Sequence, residues 1–413
     1  ILGVLMSETI LPSIRTDLEF LPGKSGDDYV VVVRDELELN EGDLVLQQEI
    51  IHLLSFFDGA NTASDVQTEL TRLQGGVLFP LEEIKELCKM LDGYFLLDTD
   101  NFRNARAEAL KEYSSLSIRK AAHAGQAYPE DKKELSTLLD SILKQGVESD
   151  LPQALITGIA APHIDISVGA RVYGSVYRTI KGLDPELVVI LGIGHKMQEG
   201  FFSLTEKDFE TPLGTVKTRK EAVKKCIQAG GNTVCPDDFT HKKEHSIEFQ
   251  LLFLQHVLKS NFEVIPILCG NASAAFEKAQ SITDIPGVSA FIDALKEELS
   301  EAQEKTLVVA GVDLSHIGLK FGQEKTGREQ AEDAETHDWQ LLNHFSILDS
   351  KAFWNEVKQV DDIYNVCGFS ALSCMIELVK PGMGTILDYD MWHEEPTESA
   401  VSFPGVVFLA ENR

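Results

Sequence analysis

From about residue 116 onward, short apolar runs without polar alternation recur: ALITGIAAP, ELVVILGIG, FEVIPILCG, TLVVAGVD and GVVFLA. Their β-branched content and bounded length predict strands buried on both faces of a mostly parallel sheet. The stretches DKKELSTLLDSILKQ, EFQLLFLQHVLKS and FSALSCMIELVK carry apolar residues at helical spacing and accompany those strands. The expected architecture is α/β, with three layers around a mostly parallel central sheet.

Earlier in the chain the pattern differs. YVVVVR, residues 29–34, predicts a short strand, and EGDLVLQQEIIHLLSFFDG shows helical spacing at Leu46, Ile50, Leu53, Leu54 and Phe57 until Gly59 ends it. TASDVQTELTRLQGG and PLEEIKELCKMLDGYFLLD predict two further helices, the second running into a short apolar strand. Residues 1–104 are therefore expected to form a small, helical, winged-helix-like domain. A helical linker, 105–117, leads to the α/β domain, 118–413. No internal repeat or low-complexity segment is visible.

Length supports this division, since 413 residues exceed the usual size of a single core. Charge narrows the partners. The formal net charge of −29 repels phosphate backbones and argues against nucleic-acid binding. Residues 1–115 hold 22 Asp and Glu against 9 Lys and Arg, the wrong sign for a DNA-reading helix, so a protein or peptide partner is expected there. Six cysteines without CxxC spacing suit reduced thiols in the cytoplasm. The opening ILGVLMSETILPSIR has too short an apolar run, without a basic flank, for a spanning helix or signal peptide, and no membrane association is expected.

In open α/β sheets, sites form outside the carboxyl ends of the strands. His163 follows ALITGIAAP, His195 follows LVVILGIG, and Asp313 and His316 follow TLVVAGV. Taken singly, each histidine reads better as a satisfied loop residue than as a ligand, but their recurrence at one topological position favours a shared site. Cys367 precedes an apolar helix, where free N–H groups and the helix dipole favour a thiolate. Cys374, two turns further on, reads as a small core residue. Two imidazoles and a thiolate suit Fe(II), Cu or Zn and fit Mg or Ca poorly. Asp313 would complete such a set or orient a ligand.

The segment HKKEHSIEFQLL matches H-x-x-E-H from His241 to His245, an inverted zinc-peptidase signature that needs both histidines on one helix face. The apolar helix is expected to start only at Ile247, which leaves Glu244, His245 and Ser246 in the turn before it. Ser246 is then the expected cap, Glu248 supports the first turn, His245 is presented near the same sheet edge, and His241 lies at the surface. A zinc peptidase remains a third reading. GxGxxG, GxxxxGK[ST] and GxSxG are absent, and LGIGHK reads as a tight loop exposing His195.

These segments carry a resemblance. AHAGQAYP, APHIDISVGARVYG, ILGIGH, TPLGTV, EHSIEFQLLFLQ, VIPILCG, DLSHIG, VCGFSAL and SAVSFPGVVF, between about 118 and 411, occur in the order and approximate spacing of the Memo-like family (mediator of cell motility). A bacterial branch of that family is called AmmeMemoRadiSam system protein B. The resemblance implies a fold like the class III extradiol dioxygenases and a transition metal, Fe(II) or Cu before Zn. The implied ligands are His163, His195 and Cys367, with Asp313, His316 and His245 lining the pocket as candidate catalytic groups. Asp165 stands where the animal proteins look glycine-rich, as in the bacterial branch, and a thiolate where the dioxygenases use a carboxylate argues against ordinary ring cleavage. YVVVVRD, EGDLVL and LLSFFDG are similar to PqqD-type modules, which implies a peptide partner and a radical enzyme partner. The expectation is a redox-capable metal-binding protein. Its rival is a non-enzymatic binding module for a peptide or small molecule.

Overall fold

The computed structural model describes residues 10–410 apart from 27, 36, 41, 74, 303 and 304. Residues 1–9, most of the segment in which neither a spanning helix nor a signal is expected, lie outside them. The chain forms two compact units, residues 1–115 and 116–413. Among the described residues no helix is long and apolar enough to cross a membrane.

The first unit is less helical than its sequence predicts. Strands β1 (Leu18–Ser25), β2 (Asp28–Asp35) and β3 (Leu44–Gln47) form an antiparallel sheet in the order β1–β2–β3. Helices Gln48–Leu54, Ala63–Leu73, Leu81–Gly93 and Asp100–Ser115 follow. Leu46, expected on a helix, is a buried residue of β3, so the helix starts later than its spacing predicts. β1 escaped the sequence reading because Pro22 and Gly23 punctuate it. An edge strand tolerates proline, and among the described residues β1 pairs only with β2. The strand expected after the third helix is reduced to one bridge between Leu97 and Ile14. Val33, Leu46, Phe57, Val66, Leu70, Ile84 and Leu91 share the core of this unit.

The second unit is built on a sheet of eleven strands. They are β4 (Ile118–Arg119), β5 (Ile156–Ala161), β6 (Leu187–Ile193), β7 (Phe202–Leu204), β8 (Asp208–Thr211), β9 (Gly214–Thr218), β10 (Glu263–Cys269), β11 (Thr306–Gly311), β12 (His316–Gly318), β13 (Gly382–Glu394) and β14 (Ser399–Ala410). The main path runs β12–β14–β5–β11–β6–β10–β9–β8–β4, with β13 on β14 and β7 on β10. Its centre, β5–β11–β6–β10–β9, is parallel as expected. Antiparallel pairs flank that centre: β14 lies against β5, β12 and β13, and β8 against β9.

Alternating strand residues divide between two cores. Leu187, Val189 and Leu191 of β6 join helices Lys220–Gly230, Val288–Glu301, Ser350–Gln359 and Phe369–Leu378. Val188 and Ile190 join helices Lys132–Gln145, Ala170–Tyr177 and His245–Val257 on the other face. A strand with both faces covered has no position for polar alternation, which is why these runs are apolar throughout.

One glycine pair places the helix that follows His163. A Cβ on Gly174 would sit 2.3 Å from the Ile142 carbonyl oxygen, and one on Gly146 would sit 2.2 Å from the Gly174 carbonyl carbon. The Tyr173 hydroxyl donates to the Ile164 carbonyl at 3.0 Å, tying that helix back to the loop. Gly174→Ala is expected to lower stability by about 1–3 kcal/mol, the usual cost of overpacking a close contact. A fall in the urea midpoint of the full chain checks this, and an unchanged midpoint refutes it.

Candidate metal centre

β5 and β6 are parallel strands on either side of β11, so their carboxyl ends open on one edge of the sheet. His163 and His195 each stand two residues beyond their strand. The segment after β11 recruits the third member, because the Leu314 carbonyl accepts from Cys367 N at 3.1 Å and the Asp313 carbonyl from Gly368 N at 2.8 Å. That approach requires glycine at 368, where a Cβ would lie 2.6 Å from the Asp313 oxygen. The Cys367 Sγ is thereby brought to 3.5 Å from His163 Nε2 and 3.6 Å from His195 Nε2. All three donor atoms lie within 4.8 Å of one another.

The remaining ring nitrogens are engaged elsewhere. His163 Nδ1 donates to the Gly311 carbonyl at 3.0 Å, and His195 Nδ1 lies 3.1 and 3.0 Å from the two Glu244 oxygens. Holding Nδ1 in this way fixes the tautomer and frees Nε2 for a cation. Glu244 also caps helix His245–Val257, accepting from His245 N at 2.9 Å and Ser246 N at 3.0 Å. Asp313 Oδ1 accepts from His163 N at 3.0 Å and Ile164 N at 3.3 Å, while Oδ2 stands 3.6 Å from His163 Nε2. Asp313 thus orients His163 from beside the trio.

Charge follows this packing. Burial would push the Cys367 thiol up, but His163 and His195 outweigh it and bring the group down to about 5. Burial would lower His163, yet Asp313 and the Cys367 thiolate raise it to about 9. Burial likewise opposes the charged forms of His195 and Glu244, and their mutual attraction overrides it, raising the first and holding the second well below the carboxylate range. Without a cation, the site is a thiolate held by protonated imidazoles. His245 behaves differently: burial drives it down to about 3 despite Glu244, so it is neutral.

His245 lies beside the trio. Its ring stacks on His195 at 5.0 Å and meets the His163 ring edge-on at 5.3 Å. His316 does not join them. Its Nδ1 lies 3.0 Å from the Leu314 carbonyl, its ring packs on Phe321, and among the described residues no hydrogen bond or ring contact links it to the trio. Asp165 is an exposed turn former whose Oδ1 accepts from Ser167 N at 2.8 Å.

The H-x-x-E-H segment is not one helix, which removes the peptidase reading. His241 lies in the short turn Phe239–Lys242, Glu244 is extended with φ −70 and ψ 129, and the helix begins at His245. The two histidines therefore share no helix face, and His241 is buried, contrary to expectation, with no hydrogen-bond partner for Nε2 among the described residues. Ser246 does not cap either; its Oγ accepts from Ile193 N at 2.9 Å. Glu248, which does stand in the first turn, is a buried acceptor for Arg119, Tyr128 Oη, Ala122 N at 2.9 Å and His123 N at 3.0 Å. Arg119 also donates to the carbonyls of His241 at 2.9 Å and Glu244 at 2.7 Å.

Two contributors escaped sequence reasoning. Glu244 orients His195, and its signal was a carboxylate directly before a helix start. His123, in AHAGQAYP, places its ring 5.8 Å from that of His245 and binds the Lys243 carbonyl through Nε2 at 2.8 Å. Nothing in its spacing marks it.

Comparison with known proteins covers most of the chain. The family described as Memo-like protein matches residues 119–407. A MEMO1 family protein of Aquifex aeolicus is 32% identical over 388 residues, spanning 93% of this chain and 96% of that protein. A share that large extends into the first unit. One from Nitrosopumilus maritimus is 27% identical over 301 residues, spanning 71% of this chain and all of that protein, a share the size of the second unit. One from Thermus thermophilus is 25% identical over 349 residues, spanning 82% of this chain and 97% of its own. With its strand-end histidines and cysteine on the matched segment, this chain belongs to the Memo-like family.

Proposed function

We propose that the second unit binds one transition-metal ion through His163 Nε2, His195 Nε2 and Cys367 Sγ and serves redox chemistry. The observation that carries this reading is the convergence of the three donors. Bonds of about 2.0–2.1 Å to nitrogen and 2.3 Å to sulfur at tetrahedral angles give N···S edges of about 3.6 Å. The observed 3.5 and 3.6 Å match those edges. Three protein ligands leave a fourth position open, as in catalytic rather than structural sites.

The donor set favours Fe(II), Cu or Zn, and bound iron or copper would supply one-electron chemistry and polarise a substrate. The chain's own residues do the rest. Glu244 and the Gly311 carbonyl hold the imidazoles in the ligating tautomer, and Asp313 fixes the backbone at His163. His245, neutral and 33% exposed, presents an imidazole beside the two liganding histidines that can hydrogen-bond a bound molecule. The parallel centre with ligands at strand ends supports a fold of the class III extradiol dioxygenase type, with sulfur in the carboxylate's place. A binding module is the rival reading, favoured by the acidic first unit, which suits a basic peptide segment or a radical enzyme partner.

Anaerobic titration of the full chain with Fe(II), Cu(I) and Zn(II) should give one site per chain, and Cys367→Ser should abolish it. Partner binding retained by a metal-free Cys367→Ser protein would favour the rival. Glu244→Gln should weaken metal binding about 10–100-fold, the usual effect of losing a ligand's hydrogen-bond partner. His241→Ala should leave it unchanged.

A pH series checks the electrostatics. Metal displaces the proton that keeps His163 charged up to about 9. Affinity should therefore rise with pH below that value, by about tenfold per unit for each proton released. In metal-free protein, Cys367 should react with iodoacetamide with a midpoint near 5, not at the ordinary thiol value. A flat metal affinity, or ordinary thiol behaviour, would sink this account.

A further inference from the structure

We propose that Asp338 is a positioning residue of the metal centre, acting through Ser315 on the Asp313–Leu314 segment, whose Asp313 carboxylate holds His163 and whose Leu314 carbonyl holds Cys367. The inference rests on the metal-binding reading above and extends it to a residue remote from the ligands. Asp338 sits on helix Gly327–Ser346 and is 0% exposed. Three hydroxyls satisfy its carboxylate: Ser315 Oγ donates to Oδ1 at 2.7 Å, while Ser402 Oγ at 2.5 Å and Tyr389 Oη at 2.8 Å donate to Oδ2. An acidic group this deep is costly, and burial moves it up to about 6. The three donors offset that cost, and an apolar residue here would leave all three without their acceptor.

The hydroxyl directions explain why an acceptor is needed. Ser402 Oγ already accepts from Ser315 N at 2.9 Å, so its proton is free to be donated. A carboxylate accepts from all three hydroxyls, whereas an amide would turn two donors toward them. Around this point β14 grips the loop: Leu314 N donates to the Ser402 carbonyl at 2.7 Å, and Ser402 N to the Ser315 carbonyl at 3.0 Å. The next groups along that segment are the Leu314 carbonyl, which receives Cys367 N, and the Asp313 side chain, whose Oδ1 receives His163 N. One buried carboxylate thus stands behind two of the three ligands, where a shift of about 1 Å would spoil their convergence.

The test uses the full chain, Co(II) as a spectroscopic probe, and the variants Asp338→Asn, Ser315→Ala and their combination. Each single variant should weaken Co(II) binding about 10–100-fold and alter the thiolate-to-Co(II) charge-transfer band. Each should also change the rate at which iodoacetamide alkylates Cys367 in metal-free protein at fixed pH. Because Asp338 acts through Ser315, the combination should lose no more than the worse single variant. Losses that multiply would overturn the proposal. So would a lower urea midpoint with Co(II) affinity, band and alkylation rate unchanged, since that is the behaviour of a merely structural residue. If the wild-type chain shows no Cys367-dependent Co(II) band, the metal reading fails, and the alkylation arm alone decides whether Asp338 places Cys367. Should Asp338→Asn not fold, Ser315→Ala and Ser402→Ala probe the same link.

Discussion

A single carboxylate, Glu244, joins the end of β6 to the start of the helix that crosses behind it, and the centre depends on that junction. It receives the first two amides of the helix, the amide of His195 and the Nδ1 edge of the His195 ring. A helix start attracts negative charge through its free N–H groups, and an imidazole attracts it by pairing. Both demands fall on the same two oxygens. The buried charge is tolerable because every partner is a donor, and the geometry of the ligand follows from the geometry of the cap.

The other ligands show a similar economy. His163 is aimed by the carbonyl at the end of β11, and Cys367 by the segment that follows it, so one strand end steers two candidate donors borne by other elements. The sulfur then stands between two rings whose positive charge stabilises it as a thiolate. A proton and a bound metal ion would compete for one set of lone pairs, for which the protein supplies a fixed shape.

Much of this was legible in the sequence, for physical reasons that can be named. The parallel centre announced itself because strands covered on both faces lose polar alternation, and His163 and His195 stood out because they end such strands. The edges were harder. β14 showed only its apolar end as GVVFLA, and β1 was hidden by a proline that an edge strand can carry. Spacing misassigned Leu46, since one buried residue satisfies either period. The H-x-x-E-H match misled because letters fix no backbone conformation: Glu244 is extended, which turns one apparent helical motif into a turn and a cap. Glu248 and Arg119 are far apart in sequence, and no local pattern links them. His316 shared the topological position of its neighbours, but its Nδ1 binds the Leu314 carbonyl and its ring packs on Phe321.

The Arg119–Glu248 pair sets a limit on how the chain can be divided. Both side chains are 1% exposed, and Arg119 lies just past the end of the first compact unit. A fragment beginning after it would still assemble most of the large sheet, yet leave Glu248 sealed in with its charge unanswered, an omission that costs about 3–5 kcal/mol. The latest safe cut for isolating the second unit is therefore dictated by a guanidinium on a two-residue strand rather than by the first long secondary-structure element.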